Sequence, residues 1–141
     1  MKFSYETDFY GWTENQASLL RAGRFGEIDR EHLIEEIESM GRSERAELEN
    51  RLAVLLAHLL KWRHQPVLRS RGWQLTIIEQ RRQIARLLRR NLSLQYRVAE
   101  SLEEAYGDAL ILAEKETGLD SFPTVCPFDW EQLQDMEFLP Q

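Results

Sequence analysis

The chain has 141 residues, of which 43% are hydrophobic and 30% charged, with a mean hydropathy of −0.51 and a formal net charge of −6. This composition excludes a disordered chain, and the length suffices for a single helical domain, residues 1–141, with its own core. A lone cysteine, Cys126, excludes an internal disulfide, and the longest apolar run, LAVLLA at 52–57, is far below membrane-spanning length.

The opening MKFSYETDFYGW lacks the apolar centre of a signal peptide, so a cytoplasmic protein with no membrane partner is expected. The net charge hides its distribution. Residues 1–50 carry 12 acids and 6 bases, 51–97 carry 1 acid and 11 bases, and 98–141 carry 11 acids and 1 base. The basic middle either lies between acidic neighbours in a bundle, the favoured arrangement, or stays exposed and attracts phosphate.

In chain order, Asp8 caps a first predicted helix that runs to Ala22 and stops at Gly23. Asp29 caps a second that runs to Met40 and stops at Gly41. Ser43 caps a third, about 44–64, with Leu48, Leu52, Leu55, Leu59 and Trp62 on one face and Pro66 beyond its end. PVLRSRG at 66–72 reads as a loop, after which Trp73–Arg90 resumes a helical period through Ile77, Ile84 and Leu88.

A fifth helix, about 94–117, carries Val98, Leu102, Ala105, Tyr106, Ala109 and Ala113 on one stripe, with Gly107 as a point of weakness and Gly118 as its end. FPTVCPF is an extended segment, followed by a short helix that Asp129 and Gln132 open as a capping box. No strand pattern competes, so the fold class is all-α, an up-and-down bundle of about five helices with a Pro/aromatic tail and a short terminal helix.

Three polar residues fall where a core is expected. On the second helix Leu33, Ile37 and Met40 share one stripe, Glu31, Glu35 and Glu38 face away, and Glu36 on the stripe's flank is the carboxylate aimed inward. His58 lies on the shoulder of the third helix's main stripe. Arg81 sits in the middle of the fourth helix's stripe and needs a carboxylate or carbonyl partner there.

These three allow two readings. Glu36, His58 and Arg81 satisfy one another and fix the register of three helices, which is the favoured reading. Alternatively, Glu36 and His58 form a site that binds a divalent metal or transfers protons, with Arg81 holding an anion. The chain's three histidines, His32, His58 and His64, show no HxH or HxxxH spacing, His32 lies towards the outside of its helix, and His64 is at a helix end, so no cofactor is assigned.

Weaker signals have simpler explanations. Glu35 and Glu38 give an ExxE spacing like that of helical nucleotide pyrophosphohydrolases, but the later helices lack a partner motif and offer only Glu104 and Asp108, four apart; a solvated acidic face suffices. Cys126 reads as a small buried hydrophobe, since no base is near it in sequence. Trp12, Trp62, Trp73 and Trp130 read as core and helix seams. Phosphate loops and nucleophile elbows are absent.

With these residues in view, the chain resembles the largely cyanobacterial family catalogued as domain of unknown function 29. The resemblance runs from Asp8, Trp12 and Gln16 through Asp29, EEIESMGRSE, HLLKWRHQP, Trp73 and Arg81 to EEAYGDA and FPTVCP. It implies an all-helical domain, often a stand-alone protein, with no reaction attached, and it implies that Glu36, His58, Lys61, Trp62 and Arg81 are family features. Gly107 departs from the polar residue expected at that place, which bears only on local helix geometry.

The expected function is therefore non-enzymatic, through protein contacts and above all self-association as a homo-oligomer. A metal- or proton-handling enzyme centred on Glu36 and His58 is the first alternative. Nucleic-acid binding through Arg82, Arg86, Arg89 and Arg90 is the second, and the acidic net charge disfavours it.

Overall fold

A computed structural model describes residues 4–141, and they form an all-helical protein with no strand among them. Five α-helices follow in order: α1 (Phe9–Arg21), α2 (Arg30–His64), α3 (Arg71–Arg90), α4 (Val98–Thr117) and α5 (Trp130–Gln134). Contacts gather the chain into two compact units, Met1–Arg42 and Ser43–Gln141. No helix among the described residues is long and apolar enough to cross a membrane.

The helix ends follow from local chemistry. The Asp8 side chain accepts from the Gly11 amide at 3.0 Å to open α1. Gly23, at φ +73, supplies the left-handed residue that closes it, and the Arg24 amide folds back onto the Leu19 carbonyl. Ser70 caps α3 through the Trp73 amide. Gly118, at φ +74, ends α4 as its position predicts. The predicted capping box is complete: Asp129 accepts from the Gln132 amide at 2.8 Å and Gln132 accepts from the Asp129 amide at 3.0 Å.

Two expectations need correction. The predicted break at Gly41 does not occur, and the two helices expected over 29–64 are one α2 of 35 residues. Gly41 keeps an ordinary helical backbone, and a glycine in mid-helix costs only about 1 kcal/mol. The second correction concerns Leu33, Ile37 and Met40, expected to face a core. Ile37 and Met40 are each 61% exposed and Leu33 is half-buried.

The core of the second unit is built as the periodicity predicts. Leu48, Leu52, Leu55, Leu56, Leu59 and Leu60 are fully buried along the last five turns of α2. They pack in one cluster with Ile77, Ile84, Leu87 and Leu88 of α3 and with Ala105, Ala109 and Ala113 of α4, whose small side chains let a neighbouring helix come close. Phe122, Phe128 and Leu133 of the tail complete it, and Tyr106 pins the tail by donating to the Pro123 carbonyl. Gly107 leaves α4 unbroken.

Candidate functional site

In the first unit α1 and the start of α2 are linked by a polar and aromatic cluster. Trp12 and Gln16, one turn apart on α1, are both buried, and both reach Asp29 at the foot of α2. The Trp12 indole N–H donates to Asp29 Oδ2 at 2.9 Å, and the Asp29 amide donates to Gln16 Oε1 at 2.7 Å. Asp29 Oδ2 also meets His32 Nδ1 at 2.8 Å, one turn along α2.

The Tyr5 ring stacks on the His32 ring, centroids 3.9 Å apart, and meets Trp12 edge-on at 4.9 Å. Its hydroxyl donates to Glu36, one turn beyond His32. Glu6 lies 3.5 Å from His32 Nε2. The face of α2 turned towards α1 is thus Asp29, His32 and Glu36.

Each shift in acidity has a cause in this geometry. The His32 bond, aided by that of Trp12, holds the Asp29 carboxyl below the usual carboxylate range, against the opposing effect of burial. Asp29 in turn pushes His32 up, with smaller help from Glu6 and Glu35. The bond to Glu36 pushes the Tyr5 phenol up to about 12. An aspartate–histidine pair is a general-base device where a nucleophile meets the outer imidazole nitrogen, but here that nitrogen faces the Glu6 carboxylate. No hydroxyl or thiol hydrogen-bonds to His32 among the described residues, and the phenol beside it is bound to a carboxylate. The cluster holds α1 on α2.

The three residues singled out from sequence have the following surroundings. Glu36 accepts from Tyr5 in the first unit. His58, half-buried in the second unit, bonds through Nδ1 to the Val54 carbonyl at 2.9 Å, and burial holds its pKa below the usual value. Arg81, only 3% exposed, donates from Nε to the Leu133 carbonyl at 2.7 Å and from Nη2 to the Gln132 carbonyl at 3.1 Å. The carbonyl partner this guanidinium needs comes from the end of α5. Each of the three is engaged by a group outside the trio, and no hydrogen bond joins His58 to Arg81. Glu36 belongs to the first unit, His58 and Arg81 to the second.

Lys61 is a further buried cation, 5% exposed, paired with Glu116 of α4, its ammonium 5.1 Å from the centre of the Trp73 ring. Cys126 is half-buried, its thiol directed at the Phe128 carbonyl, and burial pushes its pKa up, as befits a structural rather than a nucleophilic cysteine. No group of three or more His, Cys, Asp or Glu side chains is placed to hold a metal among the described residues.

Sequence reasoning passed over Tyr5 and placed His32 towards the outside of its helix, whereas His32 faces α1, bound to Asp29 and stacked on Tyr5. An acid and a histidine three apart on one helix face was the available signal; the Tyr5–Glu36 bond spans 31 residues and left none.

These features define an all-α protein with buried polar groups that tie helices together. The chain belongs to the family described as Domain of unknown function DUF29, whose model matches residues 4–139. No curated protein and no solved structure matches it.

Proposed function

We propose that this protein acts through protein contacts, and that it associates with a second copy of itself through the apolar flank of α2 formed by Leu33, Ile34, Ile37 and Met40. The observation that carries this reading is the exposure of that flank: Ile37 and Met40 are each 61% exposed and Ile34 is 44% exposed. Single exposed apolar residues are ordinary, but three within two turns, beside the half-buried Leu33, make a stripe.

The occupant follows from the size of the unit. Among its described residues only Gly11, Trp12 and Gln16 are buried, and units of about 42 residues need help from a staple or an assembly. The stripe also complements itself. In an antiparallel pair centred on Ile37, Ile37 meets its own copy, Ile34 meets Met40, and Leu33 meets the Gly41 position, where the missing side chain leaves room. This is the isologous contact of a two-fold dimer.

Light scattering over a concentration series tests the reading. At high salt the expected result is a concentration-dependent dimer in the parent protein and a monomer in Ile37→Glu of unchanged helicity. A parent that stays monomeric throughout, or an Ile37→Glu protein that still dimerises at high salt, overturns it.

A further inference from the structure

A second face of α2 has no partner among the described residues, and its charges find their counterpart elsewhere in the chain. Glu31, Glu35, Glu38 and Arg42 are all exposed and, at about 100° per residue, lie within about 60° of one another around the helix. This stripe is separate from the Ile34/Ile37/Met40 flank and from the Asp29/His32/Glu36 face. On α3, Glu79, Arg82, Arg86 and Arg89 are likewise exposed and share an arc of about 80°. None of these eight side chains takes part in an ion pair or hydrogen bond among the described residues, whereas Arg45, Arg51, Lys61 and Arg90 are each paired with a glutamate.

The two stripes match in order and, to within one residue, in spacing. Laid antiparallel, Glu31 faces Arg89, Glu35 faces Arg86, Glu38 faces Arg82 and Arg42 faces Glu79. The match includes the reversal of sign at one end: three acids and then a base on α2, three bases and then an acid on α3. A basic helix serving phosphate alone has no use for Glu79 in the stripe, and a merely solvated acidic helix has none for Arg42. With the chain at a net charge of −6, the basic stripe is complementary to an acidic protein surface, and the chain carries such a surface itself.

We infer that the Glu31/Glu35/Glu38/Arg42 stripe of α2 docks on the Glu79/Arg82/Arg86/Arg89 stripe of α3 in a second copy of this chain. The contact is heterologous, with unlike surfaces meeting, and it stands apart from the apolar pairing proposed above. Salt separates the two contacts, because ions screen exposed charge pairs and leave apolar burial intact. Four exposed pairs give a contact that salt weakens strongly: raising the ionic strength from 0.02 to 0.5 M lowers the association constant by roughly tenfold or more.

A charge swap on the full chain tests the inference, read by sedimentation velocity at low and high salt. Each variant also carries Ile37→Glu so that the apolar contact is absent. Arg82→Glu with Arg86→Glu makes both stripes acidic, and Glu35→Arg with Glu38→Arg makes both basic. Circular dichroism verifies that each is folded, as the exposure of all four positions leads one to expect. The expected result is low-salt association of the Ile37→Glu chain alone, its loss in each charge variant, and its return when the two variants are mixed in equal amounts. The inference is overturned if each charge variant associates as its parent does, if mixing restores nothing, or if the Ile37→Glu chain stays monomeric at low salt. Low-salt binding of a duplex or single-stranded oligonucleotide by an Ile37→Glu chain that does not self-associate, lost in Arg82→Glu with Arg86→Glu, also overturns it, since phosphate is then the occupant of the basic stripe. Should only the apolar reading fail, the charge swap still restores association; should only this inference fail, Ile37→Glu alone still abolishes the parent's dimer.

Discussion

Arg81 of α3 donates to the Leu133 carbonyl at 2.7 Å, so a buried cation answers the free carbonyls at the end of α5. Those carbonyls have no partner inside their own short helix, and they carry the partial negative charge of a helix C-terminus. The guanidinium meets two of them with its planar donors, which a lysine ammonium does not reproduce. Burial lowers the pKa of Arg81, yet an arginine remains charged in the folded state.

The first prediction is that Arg81→Ala destabilises the second unit by about 3 kcal/mol, through two orphaned carbonyls and the void left by the side chain. Urea unfolding measures the loss. Amide exchange then shows α5 and the following residues opening first, because their tie to α3 is gone. Arg81→Lys recovers only part of the loss.

Lys61 and Glu116 provide the second. Glu116→Gln leaves the Lys61 ammonium buried with only the Trp73 ring to balance it, and costs about 1–2 kcal/mol, reduced because Glu116 is itself 44% exposed. Lys61→Met removes the charge that needs balancing and costs less. Thermal melts of the two variants, with the reverse order of stability, would show that the pair adds more than its burial takes away.

The two units respond oppositely to pH. His32 is raised by Asp29, so its contribution is whole below the ordinary histidine value, about 6.5, and fades as pH climbs through its native value. Asp29 is lowered chiefly by His32, so its contribution is whole above about 3.9 and fades as pH drops through its native value. The first unit is therefore most stable between these limits. In the second unit burial lowers both His58 and His64, so their contribution is whole above about 6.5 and fades as pH falls through their native values. Amide exchange read separately for α1 and α3 from pH 4 to 8.5 is expected to show protection falling at the alkaline end in α1 and at the acid end in α3. Replacing His32 with Gln abolishes the first trend only.

Glycine positions give the fourth prediction. A Cβ at Gly41 meets nothing within 4 Å, and the backbone there is helical, so Gly41→Ala stabilises α2 by about 1 kcal/mol. Gly118 also has open space around it but sits at φ +74, so Gly118→Ala is destabilising by a similar amount. Chemical denaturation of the two single variants, with shifts of opposite sign, checks both.

Much of the helical architecture was legible because it rests on short-range chemistry. Asp8 with Gly23, and Asp129 with Gln132, are local signals and appear as expected. The α3 stripe was readable as well: Ile77, Arg81, Ile84 and Leu88 are all buried, and Arg81 at its centre announced a buried cation. Its partner was not announced, since a backbone carbonyl has no signature in the sequence and any residue could have supplied one. Gly41 misled for a different reason. A glycine's penalty is small beside the propensity of the residues around it, so it ends a helix only where the chain adopts a left-handed turn, as at Gly23 and Gly118. The α2 flank misled because periodicity locates an apolar stripe without saying what covers it. The same rule that sent Leu52 and Leu59 into a core left Ile37 in the open.

Trp12 is the sole tryptophan among residues 1–42, while Trp62, Trp73 and Trp130 belong to the other unit. Its indole ring meets His32 edge-on at 6.4 Å, within reach for an imidazolium to quench its emission. With the other three replaced by phenylalanine, the chain carries its own optical gauge, one fluorophore that registers both the proton on His32 and the attachment of α1 without any added label.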